Sequence, residues 1–262
     1  MIDFTAMSLK QIKEKLEEYG PYVPEELLEA LRKDGRAGAK KLAAAIERQN
    51  QEKDNVLQHF RELGDFDRKY GCRVVGIDEA GRGPLAGPVV AAAVELDPDH
   101  IDWAVGIDDS KKLTREKRRE ICATIKAKAL FCGIGVVEAS VIDQMNILNA
   151  THLAMAKAIK DAKEGFLCLV DGLPVPRLGR RQEAIVKGDA KSLSIAAASI
   201  VAKETRDSLM DHWDAVYPEY GFAKHKGYGT KEHYIALERY GPCPIHRKSF
   251  LTGFELRQGV LF

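Results

Sequence analysis

The chain has 262 residues, of which 45% are hydrophobic, and its 40 lysines and arginines nearly balance its 39 acidic residues. A chain of this length and composition can bury a full core, so disorder throughout is excluded. Its five cysteines include no Cys-x-x-Cys pair, which argues against a disulfide framework and against a thiolate zinc site.

Membrane insertion and export are also not expected. The longest apolar runs, residues 88–96 and 193–202, are far shorter than the roughly 20 residues that a membrane-spanning helix needs. Acidic Asp3 stands where a secretory signal carries basic residues, and no apolar stretch follows it. We therefore expect a cytoplasmic protein that does not enter the membrane.

Residues 1–70 have only helical patterns. Ser8 and Gln11 have the spacing of a capping box at the start of a first helix. A second helix begins behind Pro24, and a third, more charged helix covers about residues 37–63. We predict that residues 1–70 form a helical amino-terminal extension.

From residue 71 onward, strand patterns alternate with helical ones. The predicted order is strand 73–77, strand 88–96, a helix capped by Thr114, strand 131–137, helix 149–162, strand 166–170 and helix 190–210. This alternation predicts an α/β fold for residues 71–262, with helices on both faces of a mixed sheet. Ligand sites in such sheets lie beyond the strand ends, where polar residues are the first candidates.

Acidic residues follow two of these predicted strands directly. Asp78 and Glu79 come after the first strand, and Asp171 comes after the fourth. A further acid, Asp189, lies between Gly188 and a predicted helix start. Taken singly, such residues are mostly turn formers or helix caps. Gathered together, their charges would repel one another, and a cation would be needed to hold them.

An all-carboxylate ligand set indicates which metal and which reaction to expect. Carboxylate oxygens suit hard divalent ions, Mg²⁺ or Mn²⁺, rather than zinc. Two such ions held about 4 Å apart can activate a water, align a phosphate and stabilise the leaving oxygen. The acids therefore predict phosphodiester hydrolysis with two divalent ions.

A longer motif surrounds the first two acids. Residues 76–88, GIDEAGRGPLAGP, resemble the signature block of the ribonuclease HII family. Shorter segments resemble the same family, in matching order, at residues 109–113, 170–172, 187–189, 192–203, 225–230 and 244–250. The resemblance covers about residues 71–252.

The resemblance implies a ribonuclease H-like fold and an endoribonuclease that cuts the RNA strand of RNA/DNA hybrids and nicks duplex DNA at embedded ribonucleotides. In the family, cleavage falls on the 5′ side of a ribonucleotide and leaves 3′-hydroxyl and 5′-phosphate ends, a reaction of DNA replication and repair. The resemblance further implies that Asp78, Glu79, Asp171 and Asp189 are catalytic, with the first three as ligands of two Mn²⁺ or Mg²⁺ ions. We expect a monomer.

The resemblance also assigns substrate contacts outside the acids. Gly81, Arg82 and Gly83 resemble the family element whose backbone reads the 2′-hydroxyl, the group that separates RNA from DNA. Tyr228 resembles the tyrosine that packs on the neighbouring deoxyribose, and Lys111 resembles a lysine that meets a backbone phosphate. The alternatives are an ordinary tight turn, a half-buried surface aromatic residue and a solvated lysine.

Three histidines near the carboxyl end could be mistaken for a zinc site. His225, His233 and His246 lack the spacing of a known ligand pattern. We predict that they are surface or structural residues.

Two alternative functions stay open. A ribonuclease HIII-like enzyme would share the fold and the hybrid cleavage without preferring single ribonucleotides, but its signature lacks the Gly-Arg-Gly element that contains Arg82. A noncatalytic nucleic-acid-binding module would use the basic clusters within residues 111–119 and 177–191, with the acids serving as caps. A dinucleotide-binding fold is disfavoured because Gly81, Gly83 and Gly87 have the wrong spacing for it.

Overall fold

The computed structural model describes residues 4, 6–20, 22–98, 100–107, 110 and 113–251. The chain divides between Arg61 and Glu62 into two compact units. Each unit has its own cluster of buried apolar side chains. None of the described helices is long and apolar enough to cross a lipid bilayer.

The first unit consists of helices, as its sequence predicts. The helices are α1 (Leu9–Glu17), α2 (Glu25–Lys33) and α3 (Ala37–Arg68). At the start of α1, the Gln11 amide donates to Ser8 Oγ and the Ser8 amide donates to the Gln11 side chain, which confirms the predicted capping box. Apolar residues at helical spacing, among them Ile12, Leu16 and Leu31, form the core of this unit.

The second unit contains a mixed sheet of five strands. The strands are β1 (Val74–Ala80), β2 (Val89–Glu95), β3 (Phe131–Val137), β4 (Leu167–Asp171) and β5 (Gln182–Ile185), in the spatial order β3-β2-β1-β4-β5. The β1–β2 and β2–β3 pairs are antiparallel, whereas β1–β4 and β4–β5 are parallel. The sequence pattern missed β5, because Ile185 is its only buried residue and no apolar run marks the strand.

Helices cover both faces of this sheet, as predicted. α5 (Ala139–Ile159) packs on one face and α6 (Leu193–Val216) on the other. The other helices of the unit are α4 (Arg115–Lys128), α7 (Phe222–His225) and α8 (Lys231–Tyr240). On the α5 face, a Cβ added to Gly135 of β3 would lie 1.9 Å from the Ala154 carbonyl oxygen. On the α6 face, a Cβ added to Gly76 of β1 would lie 2.1 Å from the Ser194 carbonyl carbon. These two glycines let the helix backbones approach the sheet closely.

Helix α5 begins earlier than the sequence pattern predicts. It starts at Ala139 instead of residue 149, and Asn146 interrupts it with a φ of 67°. The Asn149 amide donates to Asn146 Oδ1 at 3.0 Å, so Asn146 acts as an N-cap for the second part of α5. The pattern had located only the part that follows this internal cap.

The three carboxyl-terminal histidines are buried, with exposed fractions of 8% for His225, 0% for His233 and 3% for His246. His233 Nδ1–H donates to the Tyr228 carbonyl at 2.9 Å. His246 Nε2–H donates to His233 Nε2 at 2.9 Å, and His246 Nδ1 accepts from the Cys243 amide at 2.9 Å. This chain of hydrogen bonds holds the rings of His233 and His246 neutral. Of the two predicted roles for the histidines, the structure therefore supports a structural one and not a position at the surface.

The histidine pair predicts loss of stability in acid. Burial lowers the pKa of His233 and of His246 from 6.5 to about 4. Because the unfolded chain takes up these protons first, each ring contributes stability that is present above pH 6.5 and disappears as the pH falls toward 4. The contribution is about 3 kcal/mol per residue.

We expect the free energy of unfolding in urea to fall across this pH window, and the fall to be roughly halved in His246→Phe, which removes one of the two rings. His100→Gln is the matched control, because the His100 side chain is 83% exposed and should leave the pH dependence unchanged. An identical pH dependence in wild type and His246→Phe would contradict this explanation.

Candidate active site

Asp78 and Asp171 are neighbours on adjacent parallel strands. Ile77 of β1 lies opposite Val170 of β4, and each aspartate is the next residue of its strand. Residues at matching positions of paired strands point to the same face, and paired strands lie about 4.8 Å apart. The register therefore places the two carboxylates side by side, on the face where Gly76 meets α6.

Glu79 has a different setting from the one predicted. Both Asp78 and Glu79 lie inside β1, which continues to Ala80 because its ladder with β2 continues, instead of following the end of the strand. Glu79 is paired with Ala91 of β2 and lies one residue before the end of β1. The Arg82 guanidinium donates to Glu79 Oε1 at 3.3 Å. Glu79 thus borders the glycine-rich turn that follows β1.

Asp189 lies in the turn that precedes α6. This turn is a 3-10 helix, Gly188–Ala190, in which Asp189 is buried. The Gly188 amide donates to Asp171 Oδ1 at 2.6 Å, and a Cβ added to Gly188 would lie 3.2 Å from the same oxygen. The residue before Asp189 therefore touches Asp171 directly, which brings the fourth predicted acid to the same end of the sheet.

Burial and repulsion from neighbouring acids raise the pKa of Asp78 and of Glu79. Burial raises the pKa of Asp78 well above its usual value, and the charges of Glu79 and Asp171 raise it further. The Glu79 amide, at 2.7 Å, and the Ser199 hydroxyl lower the pKa of Asp78 by donating hydrogen bonds to it. Burial also raises the pKa of Glu79, against the opposing effect of the Arg82 guanidinium. Clustered carboxylates that resist ionisation are stabilised by a bound cation.

The donor set fits a hard divalent cation, because its ligands are carboxylate oxygens. In the part of the chain that the structure describes, no three acidic, histidine or cysteine side chains already converge on one ion position. Full convergence of the carboxylates would require a positive charge between them.

The Gly-Arg-Gly turn and Tyr228 lie together at the surface. Gly81 has a φ of +94°, and a Cβ there would lie 2.0 Å from Arg206 Nε, so only glycine fits. Gly83 is exposed, and a Cβ there would lie 3.7 Å from the Tyr228 ring. The Arg82 side chain is 51% exposed and Tyr228 is 48% exposed. The structure thus brings Arg82, Gly83 and Tyr228 into one accessible region, with Gly81 buried beside them.

Ser199 is a site residue that the sequence analysis did not single out. It lies on α6, and its hydroxyl contacts Asp78 and, at 2.8 Å, the buried hydroxyl of Ser110. The sequence could have indicated Ser199, because it follows Ile195 by four residues and so lies on the same face of α6, the face that packs against the sheet. Lys111, the predicted phosphate contact next to Ser110, lies outside the described residues.

Comparison with known protein families accounts for most of the chain. The family model described as ribonuclease HII matches residues 75–253. The chain belongs to the ribonuclease HII family. A second model, the ribonuclease HII N-terminal domain, matches residues 8–71. As a member of the ribonuclease HII family the protein is an endoribonuclease, so a noncatalytic binding module is not the right description.

Individual relatives agree with the family models. A ribonuclease HII of Clostridioides difficile (strain 630) is 49% identical over 251 residues, which are 93% of this chain and 97% of that protein. The ribonuclease H2 of Pyrococcus horikoshii OT3 has a TM-score of 0.61 and 25% identity, covering 71% of this chain and 98% of the other. The ribonuclease HII of Archaeoglobus fulgidus, solved in a complex with PCNA, has a TM-score of 0.58 and 27% identity, covering 67% of this chain and 94% of the other. The predicted ribonuclease H-like fold of this ribonuclease HII family member is confirmed.

Proposed function

We propose that this ribonuclease HII family member is a metal-dependent endoribonuclease that hydrolyses the RNA strand of RNA/DNA hybrids and nicks duplex DNA on the 5′ side of embedded ribonucleotides. The products carry 3′-hydroxyl and 5′-phosphate ends. The observation that carries the proposal is the adjacency of buried Asp78 and Asp171 at the end of the sheet, beside Glu79 and the exposed Gly-Arg-Gly turn.

Asp78, Glu79 and Asp171 are the residues proposed to hold two Mg²⁺ or Mn²⁺ ions, with Asp189 as the fourth catalytic acid. Bound there, the ions would supply an activated water and charge stabilisation for an in-line displacement at phosphorus. The Gly188 amide keeps Asp171 oriented, and the Ser199 hydroxyl does the same for Asp78. These contacts hold the carboxylates in place before substrate arrives.

Substrate selection is assigned to the exposed region around the turn. The backbone of Gly81, Arg82 and Gly83 is proposed to recognise the 2′-hydroxyl, and Tyr228 to pack on the adjoining deoxyribose. Gly83 supports this assignment because its missing side chain leaves the Tyr228 ring accessible from the turn. Lys111 is proposed to bind a backbone phosphate.

We further propose that residues 1–70 are a helical extension, that residues 71–262 form the catalytic domain, and that the enzyme acts in the cytoplasm as a monomer in DNA replication and repair. The two family models, which match residues 8–71 and 75–253, support this division. The nucleic-acid partners are RNA/DNA hybrids and duplex DNA containing ribonucleotides.

One experiment tests the activity directly. A DNA duplex with a single ribonucleotide is incubated with the protein, with and without Mg²⁺ or Mn²⁺, and the cut ends are mapped. We expect nicking only with metal, on the 5′ side of the ribonucleotide. Cleavage confined to long RNA tracts would favour the ribonuclease HIII-like alternative, and metal-independent cleavage would contradict the proposed mechanism.

Replacement of Arg82 or Tyr228 should impair ribonucleotide selection more than folding. We expect Tyr228→Ala to lower kcat/KM on the single-ribonucleotide duplex about tenfold, the effect of losing one aromatic stacking contact. Arg82→Ala should act in the same direction. The matched control is Tyr240→Ala, because Tyr240 is 50% exposed, close to the 48% of Tyr228, but lies at the end of α8. Equal losses in Tyr228→Ala and Tyr240→Ala would speak against the assigned role.

A further inference from the structure

Two fully buried arginines lie behind the glycine-rich turn. Arg247 is 0% exposed and Arg206 is 1% exposed, values that are rare for arginine. Burial lowers the pKa of Arg247 to about 9 and that of Arg206 to about 10, so both side chains stay positively charged at neutral pH. Buried charges require specific partners, and those partners indicate what the residues do.

The partners of Arg247 are backbone carbonyls of the turn. Its Nη2–H donates to the Gly81 carbonyl at 2.6 Å, its Nη1–H to the Arg82 carbonyl at 3.0 Å and its Nε–H to the Gly87 carbonyl at 2.9 Å. The Arg247 amide also donates to the Leu85 carbonyl at 2.8 Å. One residue near the carboxyl end therefore holds four points of a loop that is about 160 residues away in sequence.

The direction of these carbonyls fixes the direction of the neighbouring amides. In a trans peptide unit the C=O and N–H bonds point to opposite sides, and the structure contains no cis peptide bond among its described residues. Since the Gly81 and Arg82 carbonyls point inward to Arg247, the amides of Arg82 and Gly83 point outward. Both of these residues are exposed, and neither amide donates to an acceptor within the described parts of the chain.

We propose that Arg247 is a positioning residue for ribonucleotide selection: its guanidinium holds the turn so that the Arg82 and Gly83 amides face the substrate as two hydrogen-bond donors for the 2′-hydroxyl. This inference rests on the proposed function. A lysine could not replace the arginine, because a single ammonium lacks the planar fork that reaches three carbonyls at once.

Arg206 provides the matched control. It is buried to the same degree, but its Nε–H donates to the Pro88 carbonyl at 3.0 Å and its Nη2–H to the Ala86 carbonyl at 3.2 Å. These carbonyls lie beyond the Gly-Arg-Gly element. Arg247→Lys and Arg206→Lys therefore make the same chemical change at equally buried positions, and only the first releases the carbonyls of Gly81 and Arg82.

The test compares two duplexes of the same sequence, one with a single ribonucleotide and one all DNA. For Arg247→Lys we expect kcat/KM on the ribonucleotide duplex to fall by about a hundredfold, the effect of a misplacement near 1 Å. The inhibition constant of the all-DNA duplex should change by less than about twofold, since phosphate contacts are unaffected. Arg206→Lys should lose clearly less in kcat/KM than Arg247→Lys, because Arg206 packs against Gly81 but its hydrogen bonds go to the Ala86 and Pro88 carbonyls, so the Gly81 and Arg82 carbonyls stay bound to Arg247. Equal losses in the two variants, or unchanged kcat/KM in Arg247→Lys, would overturn the proposal.

A measurement on the wild-type protein covers the case in which Arg247→Lys does not fold. The ¹H–¹⁵N signals of Arg82 and Gly83 are followed while each duplex is added without metal, so that no turnover occurs. We expect both amides to shift downfield with the ribonucleotide duplex only, while the Arg247 guanidinium protons remain protected from exchange. Equal shifts with both duplexes, or rapid exchange of the guanidinium protons, would refute the role of Arg247. If the wild type did not nick the ribonucleotide duplex, the proposed function would be wrong. The amide signals of Arg82 and Gly83 would still show whether Arg247 holds the turn as proposed.

Discussion

We expect Asp78→Asn to reduce kcat on the single-ribonucleotide duplex by about a thousandfold or more, because it removes a proposed metal ligand worth several kcal/mol in the transition state. Asparagine has nearly the same size as aspartate and keeps one oxygen that can accept a hydrogen bond from the Glu79 amide. In the wild type this amide donates to Asp78 Oδ1 at 2.7 Å. Folding and hybrid binding should therefore be largely retained.

The same substitution should raise the melting temperature of the metal-free protein. Repulsion from Glu79 and Asp171 and the burial of Asp78 all disfavour the charged form of this carboxylate, and the neutral amide removes that cost. Conversely, added Mg²⁺ or Mn²⁺ should stabilise the wild type through its preferential binding to the folded state, and this stabilisation should be much smaller in Asp78→Asn.

Activity assays and thermal melting with and without metal check both parts. Asp65→Asn is the control, because the Asp65 side chain is 72% exposed and pairs only locally with Arg68. It should leave turnover and the metal response unchanged. Turnover at the wild-type level in Asp78→Asn would refute the assignment of this acid.

The second large effect is expected at Gly76, where alanine should destabilise the protein by about 3 kcal/mol or more, the upper range for overpacking. An added Cβ would lie 2.1 Å from the Ser194 carbonyl carbon and 2.2 Å from the Ile195 amide nitrogen. Both contacts are with backbone, which cannot move aside as a flexible side chain can. Relief of the clash requires α6 to move away from β1.

Such a movement would also disturb catalysis, because the turn Gly188–Ala190 leads directly into α6 and supplies the amide contact to Asp171. Urea unfolding measures the stability loss, and kcat at saturating metal measures the effect on the site. Gly35→Ala is the matched control: a Cβ at Gly35 would meet no atom within 4 Å. Comparable stability of Gly76→Ala and wild type would contradict the close packing of α6 on β1.

Most elements of the sheet unit were predictable because buried strands are marked by local composition. β1, β2, β3 and β4 contain apolar runs; the predicted bounds of β2, β3 and β4 agree with the structure to within one residue, whereas β1 continues three residues beyond its predicted end, to Ala80. β5 has no such run, since it is an edge strand with one buried residue, and only its pairing with β4 defines it. The internal cap at Asn146 likewise concealed the first part of α5.

The histidines show the same limit at the level of single residues. The spacing of His225, His233 and His246 argued against a known zinc pattern, but their burial could not be predicted from that spacing. Their rings are buried because α7, α8 and the segment that contains His246 pack together, so that His225 stacks on His233 and a hydrogen bond joins His233 to His246. Residue spacing describes a local segment, whereas burial depends on which segments meet.

The sequence by itself determined the family and predicted the four acids and the glycines of the turn, because a motif is a local property of the chain. The tertiary structure alone decided how these residues meet. The parallel pairing of β1 with β4 sets Asp171 beside Asp78, the continued ladder with β2 keeps Glu79 inside β1, and Arg247 holds the turn by hydrogen bonds to its carbonyls. Each of these depends on contacts between segments far apart in sequence, which form only when the core is buried and its polar groups find partners.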